Sequence, residues 1–446
     1  MSAWDDLLQL ASPARKTFLS GLNLPEKIQW NVLSRILGDN AQTTFGLQHG
    51  FASIQSVDAF RHQVPVAQYE DLRADIIAMT KGEKNVLTRE EPLAYDLTSG
   101  STGAAKIIPY TASGLENVRV ALMVWLADIL ETYPQIAHGR FYWALSPAAR
   151  EMQQLPGGAL LGPVQDSVFF GEEAVTALSA LSVVPPELAL ESDIETWRTE
   201  TLCHLLAAGD LTFISIWSPT FLTALLEHFV QEPEAVIQAL HDGISGCRAN
   251  PYRARTIQSM METTGLDTTV IWPHLAAIST WADAGAKRFV PDLANLFPHA
   301  AIQGKGLMST EALTSIPISA AQYPVLATAS AFFEFLDDDG NSWLAHEVVP
   351  GCKYRVIITT SGGLFRYDTT DIVRIHAPME RTPTLEFIGR AGEVSDMCGE
   401  KLSGQSVIEA LEPLSCFAFL APLVKQFPHY ALVMDADMVD AAQAAK

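Results

Sequence analysis

The chain predicts an α/β protein of mixed sheets flanked by helices, and three features of its 446 residues carry that prediction. Apolar residues recur at helical spacing through residues 1 to about 90. Helices and short apolar strands then alternate to about residue 325, the pattern of a sheet covered by helices. From Val325 onward the texture turns to β-branched and aromatic residues broken by tight turns, which reads as an antiparallel meander. A composition of 48% hydrophobic and 18% charged residues excludes a disordered chain and supplies apolar surface for a large core.

Charge and targeting signals narrow the function classes. A net charge of −22 argues against a nucleic-acid surface, which needs clustered Lys and Arg, yet leaves room for a small anion in a local positive pocket. The N-terminus, MSAWDDLLQLASPARK, carries acids where a signal peptide needs bases. The most apolar stretch, LTFISIWSPTFLTALL, is interrupted by Ser218 and Pro219 and falls short of a membrane span. Five cysteines form no CxxC pair, so no zinc or redox motif is present, and their odd number points to a reducing cytoplasm. The expectation is a cytoplasmic protein without nucleic-acid or membrane partners.

Taken in order, LPEKIQWNVLSRILGDN predicts a helix stopped at Gly-Asp-Asn, and SVDAFRHQVP and QYEDLRADIIAMTKG predict shorter helices. Leu93–Leu97 predicts a strand into a loop, KIIPYT a strand or turn out of it, and ASGLENVRVALMVWLADILETY a long amphipathic helix from Ala112. In the meander, DDDGN, PGC and SGG mark turns; Asp337–Gly340 reads as a hairpin and not a metal site. HEVVP lacks the second histidine of a zincin, with Pro350 in its place. TLEFIGR reads as a last strand, and a boundary falls near Arg390, before the helix QSVIEALEPL.

The loop itself, in YDLTSGSTGAAKIIPYT, packs Thr98, Ser99, Gly100, Ser101, Thr102 and Gly103 ahead of Lys106. Small residues let several backbone N–H groups approach one anion; hydroxyls add donors, and a lysine adds charge. Composition alone fits a phosphate cradle and a surface turn equally well. Ala105 and Ile107 around Lys106 exclude a Walker A loop, two glycines three apart exclude a Rossmann fingerprint, and Ser99 excludes a nucleophile elbow at Ser101.

The pattern [ST]-S-G-[ST]-[ST]-G-x-x-K resembles the phosphate loop of adenylate-forming enzymes, and companions follow in that superfamily's order. IQGKGLMSTEALTS matches its Thr-Glu motif at Thr310 and Glu311. The resemblance implies that Thr310 contacts the α-phosphate or the substrate carboxylate and that Glu311 helps hold Mg²⁺. Standing alone, a Thr-Glu pair reads as a helix N-cap. GLFRYDTTDIVRI resembles the ribose-binding segment: Asp371 is the matching carboxylate, with Thr370 where glycine is expected. Gly389-Arg390 resembles the Gly-Arg that ends the large domain and implies an arginine reaching ribose or phosphates. Glu393 falls near the family's hinge, and Gly399 in the loop that swings in for the second half-reaction.

FRHQVPVAQYEDLRADIIAMTKGEKNVLTREEPLAYDLTSGSTG, FFEFL, GLFRYDTTD and FIGRAGEVSDMCGEKLS together resemble the Gretchen Hagen-type acyl acid amido synthetases, which conjugate auxin and jasmonate, in a bacterial arm. The resemblance implies the adenylate-forming enzyme fold: a large N-terminal domain over 1–390, with its β-rich subdomain at 325–390, and a small, partial C-terminal domain over 391–446. It implies ATP and Mg²⁺, a carboxylic acid activated as acyl-adenylate, and an amine, an amino acid, as acceptor. Lys106, Thr310 and Glu311 are the expected catalytic residues. Trp217, Phe221 and Trp281 fall where the family builds its acyl pocket, although large aromatics are as often core. The 56 residues after Arg390 are fewer than the family's C-terminal domain, and neither Lys401, Lys425 nor Lys446 stands where its adenylating lysine is found. Two alternatives therefore stand beside the amido synthetase: an acyl-CoA ligase, and a non-catalytic protein that binds ATP or acyl-adenylate.

Overall fold

The computed structural model describes residues 2–98, 105–144, 153–162, 169–244, 246–392, 394–395, 402–411, 414, 418–423 and 429–434. The helical N-terminal region forms as its periodicity requires. Helices run over Ala3–Gly21, Pro25–Asp39, Thr44–Gln48, Val57–Gln63 and Tyr69–Thr80. Ser2 and Asp5 close a capping box on the first; Ser56 caps the fourth; Pro25 opens the second at its first turn, where a missing N–H costs nothing. The second helix stops at Asn40, as the Gly-Asp-Asn stretch predicts.

Three sheets position the site. The first is a parallel sheet in the order β3 (Arg140–Trp143), β6 (Leu211–Ser215), β7 (Ala277–Thr280), β8 (Ala301–Gly304). Its side chains alternate between two cores. Phe141, Phe213 and Ala277 pack with the helices Ala3–Gly21 and Ala112–Thr132. Tyr142, Ile214 and Ile278 pack with the helices that follow residue 194. Burial on both faces explains why LTFIS and AIST read as continuous apolar runs.

The second is an antiparallel sheet of seven strands: β12 (Ser342–Leu344), β11 (Phe332–Leu336), β13 (Lys353–Thr359), β14 (Tyr367–Met379), β15 (Thr382–Arg390), β10 (Val325–Leu326) and β9 (Ser315–Ile316). Asp337–Asn341 joins β11 to β12 as a hairpin turn, with Gly340 at φ +84°. The inner face of the sheet, with Phe333, Phe335, Val356 and Ile358, shares one core with the first helices. A buried ion triad locks that union. Arg366 makes two bonds to Glu334, of 2.8 and 3.0 Å, and Arg61, from the helix Val57–Gln63, reaches the same carboxylate at 3.0 Å.

A smaller sheet in the order β2 (Ile107–Tyr110), β1 (Ala94–Leu97), β5 (Leu160–Leu161), β4 (Gln153–Gln154) carries the glycine-rich loop at one end. Beyond Arg390 the described residues form the antiparallel pairs β16 (Val394–Ser395) with β17 (Leu402–Ser403) and β18 (Ala418–Leu423) with β19 (His429–Met434), and the helix Gly404–Leu411. Among the described residues no helix is long and apolar enough to cross a membrane.

Candidate active site

The β1–β2 hairpin holds both ends of the glycine-rich loop. Leu97 faces Ile107, and two bonds close the neck beyond them: Thr98 N–H donates to the Lys106 carbonyl (3.0 Å), and Lys106 N–H donates to the Thr98 hydroxyl (3.2 Å). The tip, with Ser99, Gly100, Ser101, Thr102 and Gly103, lies outside the described residues, as do Glu393, Gly399 and Lys401. Lys106 Nζ donates to the Tyr367 hydroxyl at 3.0 Å, between the Tyr69 and Tyr367 rings, whose centroids are 5.9 and 5.7 Å away. The Tyr69 hydroxyl in turn accepts the Ile107 N–H at 2.8 Å. A contact spanning 261 residues thus sets the lysine over β14.

Strand register supplies the next pair. Asp371 on β14 stands opposite Arg390 on β15, and Arg390 Nε donates to Asp371 Oδ1 at 2.9 Å. Asp371 is buried. Burial pushes its carboxyl up to about 6; Arg390 opposes the rise, and Glu311 and Asp368 add to it. Thr370, where glycine was expected, adopts φ +65°, a left-handed conformation rare for a β-branched residue. Its N–H donates to Asp368 Oδ1 (2.9 Å), and its carbonyl accepts the Ala391 N–H (2.7 Å). These two bonds tie the turn to Asp368 on one side and to the end of β15 on the other.

Thr310 and Glu311 occupy a tight turn between β8 and β9 and not a helix N-cap. Met308 bridges Leu313, and Ser309 N–H donates to the Ala312 carbonyl at 2.9 Å. The Tyr110 hydroxyl, from β2, donates to the Thr310 carbonyl at 2.7 Å, across 200 residues. Burial drives both Tyr110 and Tyr367 far above an ordinary phenol, and the Glu311 charge pushes each further in the same direction. Both phenols stay protonated, Tyr110 donating to Thr310 and Tyr367 accepting from Lys106, and Glu311 lies within electrostatic reach of β2 and β14. Thr98, Lys106, Thr310, Glu311, Asp371 and Arg390 are brought to one region. Tyr69, Tyr110, Tyr367 and Asp368, which sequence reading did not single out, complete it. Tyr367 stands within the same segment that yielded Asp371, and that proximity was the signal available.

A second cluster forms at the carboxyl ends of the parallel strands, where open α/β sheets bind ligands. Trp217 follows β6 and Trp281 follows β7. Their rings lie 5.5 Å apart, and Trp281 N–H donates to the Trp217 carbonyl at 2.9 Å. Lys305 follows β8. Its Nζ lies 5.2 Å from the Trp125 ring, 5.7 Å from Trp143 and 5.6 Å from Trp217, and donates to the Ser215 hydroxyl at 2.8 Å. Phe221 does not join this cluster. It stands at the start of the helix Pro219–Gln231 and packs on Trp197 at 5.8 Å, over the core beneath. Lys305, Trp125 and Trp143 carried no sequence signal beyond a lysine set between two glycines. A cavity of about 550 Å³ lies at the opposite ends of the same strands, lined by His138, Asp210, His274 and His299, away from both clusters.

Comparison with known proteins places this geometry. The GH3 family N-terminal domain matches residues 14–302, and the GH3 family central domain matches residues 324–390. The chain belongs to the GH3 family. A probable indole-3-acetic acid-amido synthetase, GH3.1 of Oryza sativa subsp. japonica, is 21% identical over 92% of this chain and 73% of its own length. The indole-3-acetic acid-amido synthetase GH3.4 of Arabidopsis thaliana is 23% identical over 93% of this chain and 76% of its own length. Among solved structures, the GH3.15 acyl acid amido synthetase superposes with a TM-score of 0.80 at 19% identity, over 94% of this chain and 81% of its own. A 2-hydroxyisobutyryl-CoA ligase in its postadenylation state superposes with 0.57 at 12% identity, over 94% of this chain and 79% of its own. The fold is that of adenylate-forming ligases, as the ordered motifs led us to expect.

Proposed function

We propose that this GH3 family chain is an ATP-dependent ligase that activates a small carboxylic acid as its acyl-adenylate and transfers the acyl group to an amine, an amino acid being the acceptor class. One observation carries the reading: in a chain of this family, Lys106, Thr310-Glu311 and the Asp371–Arg390 pair converge from segments up to 261 residues apart.

The roles follow from chemistry. Backbone amides of Ser99 to Gly103 and the Lys106 ammonium neutralise the ATP phosphates. The two acceptor oxygens of Asp371 suit the vicinal hydroxyls of ribose, and Arg390 orients that carboxylate and lends positive charge. Thr310 faces the α-phosphate and the acid's carboxylate. The carboxylate attacks the α-phosphorus, and pyrophosphate leaves. The amine then attacks the carbonyl carbon of the mixed anhydride, AMP leaves, and the ammonium proton passes to solvent. Such steps need charge neutralisation and in-line placement more than covalent help. Magnesium is commonly held by one carboxylate together with phosphates and waters. Glu311 is that carboxylate. Trp217 and Trp281 wall the acid, whereas Phe221 serves the core. Residues 1–390 act as the large domain, with 325–390 as its β-rich part, and 391–446 belong to a smaller one.

The test is acid-dependent exchange of pyrophosphate into ATP over a panel of aryl and alkyl acids. Exchange is expected with one acid class and falls about a hundredfold in Lys106→Ala, the size of losing one preorganised charge at a reacting phosphate. ATP raising the melting temperature with no exchange would favour a non-catalytic nucleotide binder. Product formation with coenzyme A and none with amino acids would favour an acyl-CoA ligase.

A further inference from the structure

We infer that Asp283 is a positioning residue for the acid: its carboxylate fastens the segment that carries Trp281 to β15, so that the wall of the acid site and the nucleotide ribbon keep one spacing; this rests on the acyl-adenylating reading above. Trp281 leaves the end of β7, where its N–H donates to the Trp217 carbonyl. Two residues on, Asp283 Oδ2 accepts the Phe387 N–H at 3.1 Å, across 104 residues. Phe387 faces Val373 on β14 and stands three positions before Arg390. A single side chain thus reaches from the parallel sheet, whose end holds Trp217 and Trp281, to the strand whose end holds the Asp371–Arg390 pair.

The backbone around Asp283 shows how firmly this segment is held. Ala284 adopts φ +49°, a left-handed conformation that a residue with a Cβ keeps only where its surroundings enforce it. The Asp283 carbonyl accepts the Ala286 N–H at 3.1 Å, which closes the turn that opens the short helix Ala284–Phe289. That helix has a second tie to β15, Lys287 to Glu386 at 3.3 Å, but the lysine side chain is 68% exposed and Glu386 is shared with Arg374 and His376. An exposed ion pair contributes little, whereas a half-buried carboxylate accepting a backbone N–H makes a charge-assisted bond. Burial pushes the Asp283 carboxyl above its ordinary value, and the Phe387 N–H opposes that rise. The Asp283 bond is therefore the stronger of the two ties. Trp281 keeps 42% of its surface exposed, so its ring is placed more by the backbone beneath it than by packing around it.

The experiment reads the place of Trp281 first and its consequence second. The full chain is labelled with fluorotryptophan, and the Trp281 fluorine resonance is assigned by its absence in Trp281→Phe. Asp283→Ala is expected to shift or broaden that resonance. Asp283→Asn, whose amide oxygen still accepts the Phe387 N–H, leaves it in place, and so does Lys287→Met. In pyrophosphate exchange with the acid class that the wild type uses, Asp283→Ala raises the KM for the acid about tenfold, the size of one charge-assisted bond, with the KM for ATP within about twofold of wild type. Asp283→Asn restores the acid KM. General destabilisation would move both constants together or neither. A Trp281 resonance unmoved in Asp283→Ala, one moved as far by Lys287→Met, equal rises in both KM values, or an asparagine that rescues neither readout would overturn the inference. A resonance moved by Asp283→Ala and restored by Asp283→Asn, in a protein that shows no exchange with any acid, supports the tie between Asp283 and Trp281 and counts against adenylation.

Discussion

The β14–β15 ribbon and the carboxyl ends of the parallel sheet each hold cations, and they hold them differently. On the ribbon side, Arg390 meets Asp371, and Arg366 and Arg61 meet the buried Glu334, all carboxylates at 2.8 to 3.0 Å. At the parallel sheet, the Lys305 ammonium lies among three indoles and donates to a serine. The ribbon's charges depend on one another, so removing one strands another in a dry place. The indole faces attract their cation through ring quadrupoles. The first arrangement suits a fixed frame for a ligand that is the same in every turnover. The second sets a lysine among aromatic rings at the carboxyl ends of the parallel strands.

The largest way to break that comparison is Glu334→Ala. It leaves Arg366 buried against an apolar core and is expected to cost about 3–5 kcal/mol in a urea titration. Lys305→Met, which sets an apolar chain of similar length among indoles, is expected to stay within about 1 kcal/mol of wild type. Equal losses would show that the fold depends on the cage as heavily as on the ribbon.

A middle-sized effect is read against pH. Burial pushes the folded Asp371 carboxyl up to about 6, against 3.8 for an ordinary carboxyl. Between those values the native state binds the proton that the unfolded state has lost. Its contribution to stability is therefore present at low pH, declines as pH rises toward 6, and changes no further above that. Nucleotide affinity moves the other way, because the ionised carboxylate is the better acceptor for ribose. The ratio of ATP affinity in wild type to that in Asp371→Asn is expected to rise about tenfold from pH 5 to pH 7, which also cancels the nucleotide's own titration. A flat ratio would separate Asp371 from the ribose.

The smallest effect sharpens the local geometry. Thr370→Asn places at φ +65° a residue that tolerates the left-handed region, and is expected to add about 0.5–1 kcal/mol of stability with ATP affinity unchanged. A loss of affinity would mean that the threonine itself, and not the turn, serves the nucleotide.

Sequence reading proposed a nucleotide side from short contiguous words, Thr98 to Lys106, Thr310-Glu311, Tyr367 to Asp371 and Gly389-Arg390, and the described members of these words lie together in the fold. Each word is one loop or one strand end, and chemistry at a phosphate or a ribose constrains neighbours along the chain. The α/β class and the meander after Val325 were legible for a similar reason, since periodicity is a local property of the backbone. The aromatic cage was not. Trp125 comes from a helix, Trp143, Trp217 and Lys305 from the ends of three different strands, and each alone is an ordinary core residue or an isolated lysine. Phe221, four residues from Trp217, turned to the core because Ser218 caps a new helix there, and helical geometry aimed its ring at Trp197. Sequence alone determined which chemistry the chain carries, because that chemistry is written in adjacent residues. Only the tertiary structure decided what shares space with Lys305, because the strand order β3-β6-β7-β8 sets side by side residues that the chain keeps tens of positions apart.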